Sequence, residues 1–387
     1  MLPLRNLASS TLDRLRPNHY LTLNRIELDR SRLIHNVQVI QNHHPKFDII
    51  PVLKGNAYGH GLIPVGKILN SARCRFLAVD GYFEANRLRG ITRHHLIVMG
   101  HILPTNVSQL DTKRCSFVVQ DTDGLHAFGR LGKPVRIHLE LNTGMNRLGL
   151  KPGEVAEYLN VLRHYPKLEL EGVMTHLADA DNDHDDSFTR YQQTVFDDQV
   201  ESILAAGYTP QLVHIAQTAG SPKVNSRYAN AIRVGLGAYG LNPLAQGDHH
   251  YAGLQDLKPI LELTSTIIKV TDLEKGDKVS YNGTFTAPGP MRIGVLPLGY
   301  YEGVPRGLSN TGCVTHGGQV LPIRGRVCMN HTLIDLTGTN LGVNDRVTVL
   351  SKEPAAPNSI LSLQSKHGLF AYTTLTGLSD SVRRETV

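Results

Sequence analysis

Phe47-Asp48-Ile49-Ile50-Pro51-Val52-Leu53-Lys54-Gly55-Asn56-Ala57-Tyr58-Gly59-His60-Gly61 joins an apolar run of strand length to a loop of small residues. A short apolar run without polar alternation reads as a strand buried on both faces. Lys54 falls where that strand gives out. A lysine so placed can lose water, which frees its amine for Schiff-base chemistry. The alternative is a lysine snorkelling from a strand end over an ordinary turn. The glycines let backbone approach a bound group, and Tyr58 adds a hydroxyl four residues on.

Seven further apolar runs follow Ile49–Leu53, at Phe76–Val79, Leu96–Met99, Phe117–Val119, Val135–Leu141, Leu168–His176, Gln211–Ile215 and Ile232–Gly237. Helix-compatible stretches separate them. Ahead of them, residues 20–28 alternate like a half-buried strand, and a helix is expected from Asp29 with Leu33, Val37 and Ile40 on one face. Eight buried strands alternating with helices point to an α/β chain with a closed (β/α)8 barrel, with a doubly wound open sheet as the alternative. Near Tyr251 the pattern changes. Strand-like segments at Leu261–Val270, Lys278–Thr286, Arg292–Leu298, Gly312–Val314, Val320–Ile323, Thr332–Leu336 and Arg346–Leu350 are spaced by Gly, Pro, Asp and Asn. The expected division is a barrel over residues 17–250 and a mainly-β domain over 251–387, joined by part of segment 1–16. The tail after Ser351 is not assigned.

The chain has 387 residues, a net charge of +6 and no tryptophan. No apolar run approaches the roughly 20 residues that a membrane helix needs. The first twenty residues lack a continuous apolar core, which argues against a secretory signal. Cys74, Cys115, Cys313 and Cys328 are scattered, which fits a reducing cytoplasm and neither a disulfide scaffold nor a zinc site. The basic surplus is spread throughout, so a nucleic-acid partner is not expected and a small anionic ligand explains it as well. The acidic stretch Asp179–Asp186 lacks metal-ligand spacing and reads as a solvated loop. The pairs His43–His44, His94–His95 and His249–His250 read as surface.

Chemistry on such a barrel sits at the carboxyl ends of the strands. Lys54 falls there, with Glu140 and Arg147 after the fifth run, His176 ending the sixth, Thr218 after the seventh, and Arg233 in the eighth ahead of Gly235 and Leu236. A Schiff-base lysine with glycine loops and hydroxyls suggests an aldehyde cofactor bearing a phosphate, pyridoxal 5′-phosphate. From about Tyr20 to Val382 the chain resembles the alanine racemases, a fold-type III family using that cofactor. The carriers are Val52–Gly61, Asn142–Gly149, Gly172–His176, Val279–Ala287, Leu298–Tyr300 and Gly325–Met329, in that order.

The resemblance implies interconversion of L- and D-alanine, supplying D-alanine for peptidoglycan. Lys54 would hold the cofactor and act as a base on one face of the substrate. Tyr281 would serve the opposite face, because one base cannot easily reach both sides of Cα. In the family that tyrosine comes from the neighbouring subunit, so a homodimer with shared active sites is implied. Arg233 would face the pyridine nitrogen and His176 pack on the ring. Tyr58, Thr218 and the backbone at Gly235 and Leu236 would hold phosphate. Arg147 and the backbone N–H of Met329 would grip the substrate carboxylate. Tyr300, Arg306 and Arg326 would line the entrance, with Asp181 opposite. No metal is implied.

Several positions depart from the family pattern. Glu140 stands where many relatives carry a carbamylated lysine, and is expected to pair with Arg147 directly or through one hydrogen-bonded step. Gln217-Thr218 replaces Asn-Ser and keeps the hydroxyl. Met329-Asn330 replaces Met-Asp, weakening negative charge at the entrance. A tail tyrosine common in relatives falls at Thr386 by position. Tyr301, Glu302 and Val304 are unusual beside Tyr300, which leaves serine or a broader set of amino acids as alternative substrates. A non-catalytic cofactor-binding protein and a decarboxylase of the same fold type are the other readings.

Overall fold

The structure, a computed structural model, describes residues 22–387. Segment 1–16 and the first part of the strand expected from residue 20 lie outside the described residues.

Strand β1 (Asn24–Leu28) leads into helix α1 (Arg30–His43). The side chain of Asp29 caps this helix by accepting from Arg32 N, and Leu33, Val37 and Ile40 form its buried face. The barrel follows as β2 (Asp48–Pro51), α2 (Leu62–Leu69), β3 (Phe76–Val79), α3 (Tyr82–Leu88), β4 (His95–Val98), β5 (Cys115–Val119), α4 (Thr122–Gly129), β6 (Val135–Glu140), α5 (Val155–Arg163), β7 (Leu168–Met174), α6 (Ser187–Ala205), β8 (Leu212–His214) and β9 (Ala231–Val234). The strands run parallel in the order β2-β9-β8-β7-β6-β5-β4-β3. Every residue of β3, β5 and β9 is buried, as strands covered on both faces require. The seam between β2 and β3 is joined by the bridge Val52–Ala78, with Leu53 N donating to Ala78 O at 2.7 Å. That contact decides for a barrel over an open sheet.

The remaining strands are β10 (Leu261–Thr266), β11 (Lys269–Leu273), β12 (Lys278–Val279), β13 (Phe285–Thr286), β14 (Met291–Leu296), β15 (Cys313–His316), β16 (Gln319–Pro322), β17 (Thr332–Asp335) and β18 (Arg346–Leu350). The tail adds α7 (Ile360–His367), α8 (Ala371–Thr376) and β19 (Arg383–Thr386). A six-stranded sheet has the order β16-β15-β18-β10-β1-β19. β1 therefore pairs with β10 and β19, in the β-rich half, although it precedes the barrel in sequence. Two expected strands are broken. Leu261–Val270 divides at Ile267-Ile268, and Lys278–Thr286 folds back as the β12–β13 hairpin with Tyr281 at its tip.

Candidate active site

Lys54 is half-buried and leaves the barrel at the seam where it closes. The next four residues, Gly55, Asn56, Ala57 and Tyr58, have φ of 62°, 54°, 55° and 52°. They form a complete left-handed turn, a conformation costing roughly 1–2 kcal/mol for each residue with a Cβ. Local bonds offset that cost. Ala57 N donates to Leu53 O at 2.7 Å, and Gly59 N to Gly55 O at 3.0 Å. Asn56 accepts from Leu62 N at 2.7 Å and donates its side chain to Asp380. Burial of Ala57 and Tyr58 completes the hold. The sequence shows the small residues of this loop, but its handedness follows from contacts that sequence does not reveal.

Tyr58 is buried with its ring 5.3 Å from Tyr239 and 6.0 Å from Tyr372. Burial, first among the causes, pushes its phenol well above the ordinary range, so it stays a hydroxyl donor. A Cβ at position 235 would stand 2.5 Å from that hydroxyl oxygen, so Gly235 makes the approach possible. Thr218 Oγ1 accepts from Gly237 N at 3.1 Å, leaving its own O–H free to donate. Among the described residues, neither the Tyr58 hydroxyl nor the N–H groups of Gly235 and Leu236 have a partner within the chain. Unspent donors gathered on a tight loop are a cradle for an anion such as phosphate.

Arg233 is 3% exposed, and its guanidinium is heavily bonded on one side. Nη1 donates to Nδ1 of His214 at 3.0 Å and to His214 O at 2.9 Å. Nη2 donates to Thr175 O at 2.6 Å and Ile215 O at 3.1 Å, with His176 Nδ1 at 3.3 Å. Its Nε–H has no partner among the described residues. Burial lowers Arg233 to about 10, which leaves it protonated at neutral pH. Burial, assisted by Arg233, Arg147 and Lys54, lowers His176 to about 3, so its ring is neutral.

Glu140, Arg147, Thr175 and His176 line one small cavity. The expected pairing of Glu140 with Arg147 is not made. Glu140 is buried at the end of β6 and accepts from Gln120 Nε2 at 3.1 Å, while Arg147 is exposed on the following loop. That loop is shaped by Asn142, whose Oδ1 accepts from Gly144 N and Asn146 N at 3.1 Å each, carrying Arg147 outward. Neither a salt bridge nor a one-step hydrogen-bonded link joins the two among the described residues.

Tyr281, Tyr300, Arg326 and Met329 form a separate group on the β-rich half. Ser280 Oγ donates to Arg326 O at 2.7 Å, Tyr300 N to Cys328 O and Tyr301 N to Met329 O at 3.0 Å each. Tyr281 is 68% exposed, and its hydroxyl makes no bond within the chain among the described residues. No hydrogen bond or ion pair joins this group to the Lys54 group among the described residues. Asn330 donates to Glu302 Oε1 at 2.7 Å, and Glu302 Oε2 accepts from Gly299 N at 2.7 Å. The negative charge absent from position 330 thus stands beside it on Glu302.

Other expectations need correction. Thr386, the position expected for the relatives' tail tyrosine, pairs with Leu28 in the sheet, and a different tail residue, Tyr372 on α8, packs against Tyr58. His94 is buried, bonded to Thr92 Oγ1 at 2.8 Å, and His95 opens β4, so this pair is not surface. His214 and Gln120 were not singled out. The signal for His214 was an imidazole inside an apolar run. The acidic loop forms no metal cluster among the described residues, and its Asp186 pairs with Lys223.

Residues 28–243 match the family described as alanine racemase, N-terminal domain, and residues 260–386 the alanine racemase C-terminal domain. The alanine racemase of Staphylococcus carnosus (strain TM300) is 31% identical over 368 residues, covering 93% of each chain. That of Geobacter sulfurreducens is 32% identical over 377 residues, covering 92% of this chain and 95% of the relative. Among solved structures, alanine racemase from Bacillus anthracis with bound L-Ala-P is similar with a TM-score of 0.86 and 29% identity, covering 96% of each chain. Alanine racemase from Bartonella henselae with covalently bound pyridoxal phosphate shares the fold at a TM-score of 0.81 and 21% identity, over 95% of this chain and all (100%) of that one.

Proposed function

This chain belongs to the alanine racemase family, and on that premise we propose that it interconverts L- and D-alanine with pyridoxal 5′-phosphate, as a homodimer with shared sites. The observation that carries the reading is the convergence of unspent donors on the rim from which Lys54 emerges. The residues present fit the cofactor. The Tyr58 and Thr218 hydroxyls and the N–H groups of Gly235 and Leu236 suit its phosphate, and the free Nε–H of Arg233 suits its ring nitrogen. When bound, the cofactor supplies the electron-withdrawing ring that makes an amino acid's Cα proton acidic enough to move.

The protein groups do the rest. Arg233 can donate a hydrogen bond but not give up its proton, so a ring nitrogen held there would stay neutral and side reactions would be limited. The neutral His176 ring would pack alongside the cofactor without adding charge. Arg147, without an ion pair among the described residues, would orient the substrate carboxylate, with the Met329 N–H as a second contact. Lys54 takes or returns a proton at Cα from one face, and the partner subunit's Tyr281 does so from the other. Exposure of Tyr281 at a hairpin tip, its hydroxyl without a bond among the described residues, supports that assignment. Tyr300 and Arg326 lie on the same surface and would line the entrance.

The four cysteines are unpaired, which supports a reducing compartment such as the cytoplasm, where D-alanine would be made for peptidoglycan. No helix among the described residues is long and apolar enough to cross a membrane. The serine alternative gains nothing from Glu302, whose carboxylate is engaged by Gly299 N and by the Asn330 side chain. The test is to incubate purified protein and cofactor with single L-amino acids and follow the D-enantiomer by a coupled oxidase. Turnover of alanine above serine is expected; equal turnover, or none, would overturn the reading.

A further inference from the structure

Arg233 is one end of an unbroken line of hydrogen bonds crossing six neighbouring barrel strands, from β9 to β4. Its Nη1 meets His214 Nδ1 at 3.0 Å, and His214 Nε2 lies 2.8 Å from His138 Nδ1. His138 Nε2 is 3.0 Å from Glu171 Oε2. Ser116 Oγ donates to the same carboxylate oxygen, and His95 Nε2 is 2.7 Å from that hydroxyl. His214, His138 and Ser116 are fully buried, and Glu171 is 5% exposed.

Two features of β7 build this line. The register between β6 and β7 slips after Ile137, which pairs with Leu170, while His138 pairs with Gly172. Glu171 is the extra residue of a bulge. Glu169, two residues before it, stays exposed, whereas Glu171 is turned inward. At the next position, a Cβ on residue 172 would meet His138 Nδ1 at 2.4 Å, so Gly172 makes room for the imidazole.

The ends of the line dictate where its protons sit. A guanidinium has no acceptor, so His214 Nδ1 must be bare and its proton must be on Nε2. That proton points at His138 Nδ1, which must also be bare, and His138 then carries its proton on Nε2 toward the carboxylate. Any other placement sets two donors face to face. We propose that Glu171 is a positioning residue for the reaction: an acceptor that cannot donate, it closes the far end of the line, keeps the protons of His138 and His214 where Arg233 requires them, and so holds an acceptor nitrogen against Arg233. Its effect on turnover rests on the racemase reading; the proton placement belongs to the chain itself.

In Glu171→Gln the side-chain amide can donate to His138, both imidazoles can switch tautomer, and His214 then presents N–H to Arg233. The guanidinium must turn, and with it the donor offered to the cofactor ring. The first test needs no variant and no cofactor. ¹⁵N-histidine spectra or neutron diffraction of the whole wild-type chain should show N–H at Nε2 of both His138 and His214. A proton on Nδ1 of either one overturns the proposal. In the holoenzyme, E171Q should lower kcat roughly tenfold or more while KM for alanine stays within about twofold. Its His214 spectrum should change tautomer, and E171D should restore both. An unchanged His214 signature with an unchanged kcat in folded E171Q overturns the proposal. Should E171Q fail to fold, the wild-type proton positions decide. Absence of racemisation by wild type would remove the proposed function and leave the proton measurement standing.

Discussion

Arg384 donates to the carbonyl oxygen of Gly59 through Nη2 at 2.8 Å and Nε at 3.3 Å, so β19 clamps the turn that follows Lys54. The same guanidinium bonds Ser379 O and Val382 O at 2.7 Å and Leu378 O at 3.1 Å. Arg384→Ala strips partners from four part-buried carbonyls. It should cost about 1–3 kcal/mol of stability and weaken cofactor binding, read by denaturant titration and by cofactor fluorescence. Cofactor affinity equal to wild type would show that the clamp does not serve the site.

Gly235→Ala should affect binding far more than folding. Its φ is not in the left-handed region, but the new methyl would lie 2.5 Å from the Tyr58 oxygen. A loss of roughly tenfold in affinity for pyridoxal phosphate is expected, corresponding to about 1.4 kcal/mol. Combining it with Tyr58→Phe should recover part of the loss, and simple additivity would refute the crowding explanation.

The proposed sharing of sites between subunits would have an arithmetic signature. Lys54→Ala and Tyr281→Phe should each be inactive as homodimers. After unfolding and refolding of an equal mixture, half the dimers are hybrids with one intact site each, and about a quarter of wild-type activity should return. No recovery from a mixture shown to form hybrids would place Lys54 and Tyr281 of each site on the same chain.

Acid should destabilise the protein earlier than its carboxylates alone would require. Burial lowers His60 to about 4 and His214 well below its ordinary value of 6.5. Below about pH 6.5 the unfolded chain takes up a proton at each of these rings while the folded chain does not. The stability they contribute is complete above that pH and declines as pH falls toward 4. The expected slope is about 1.4 kcal/mol per pH unit for each ring. His60→Gln should flatten the fall by about one such increment between pH 6 and 4.5, measured by urea titration at each pH.

The barrel was legible because each strand is a compact apolar run. Phe76–Val79 was bounded correctly to the residue, and the others within a few positions. Closure was not legible, since it rests on the single seam at Val52 and Ala78. Lys54, Arg233, His176, Thr218 and Tyr58 stand on one rim because strand ends in a barrel share it. Arg147 and Glu140 share that rim yet do not pair, because the 142–149 loop sets the direction of the arginine. Tyr372 and Arg384 were missed because what makes them part of the site is contact across more than three hundred residues of chain.

Strand β1 is sandwiched between β10 and β19, partners translated long after it. As the chain leaves the ribosome, β1 must therefore wait unpaired while all eight barrel strands are made. The barrel can close in that interval, but the sheet cannot. Until β10 and β19 are made, both edges of β1 stand open to pairing with another chain.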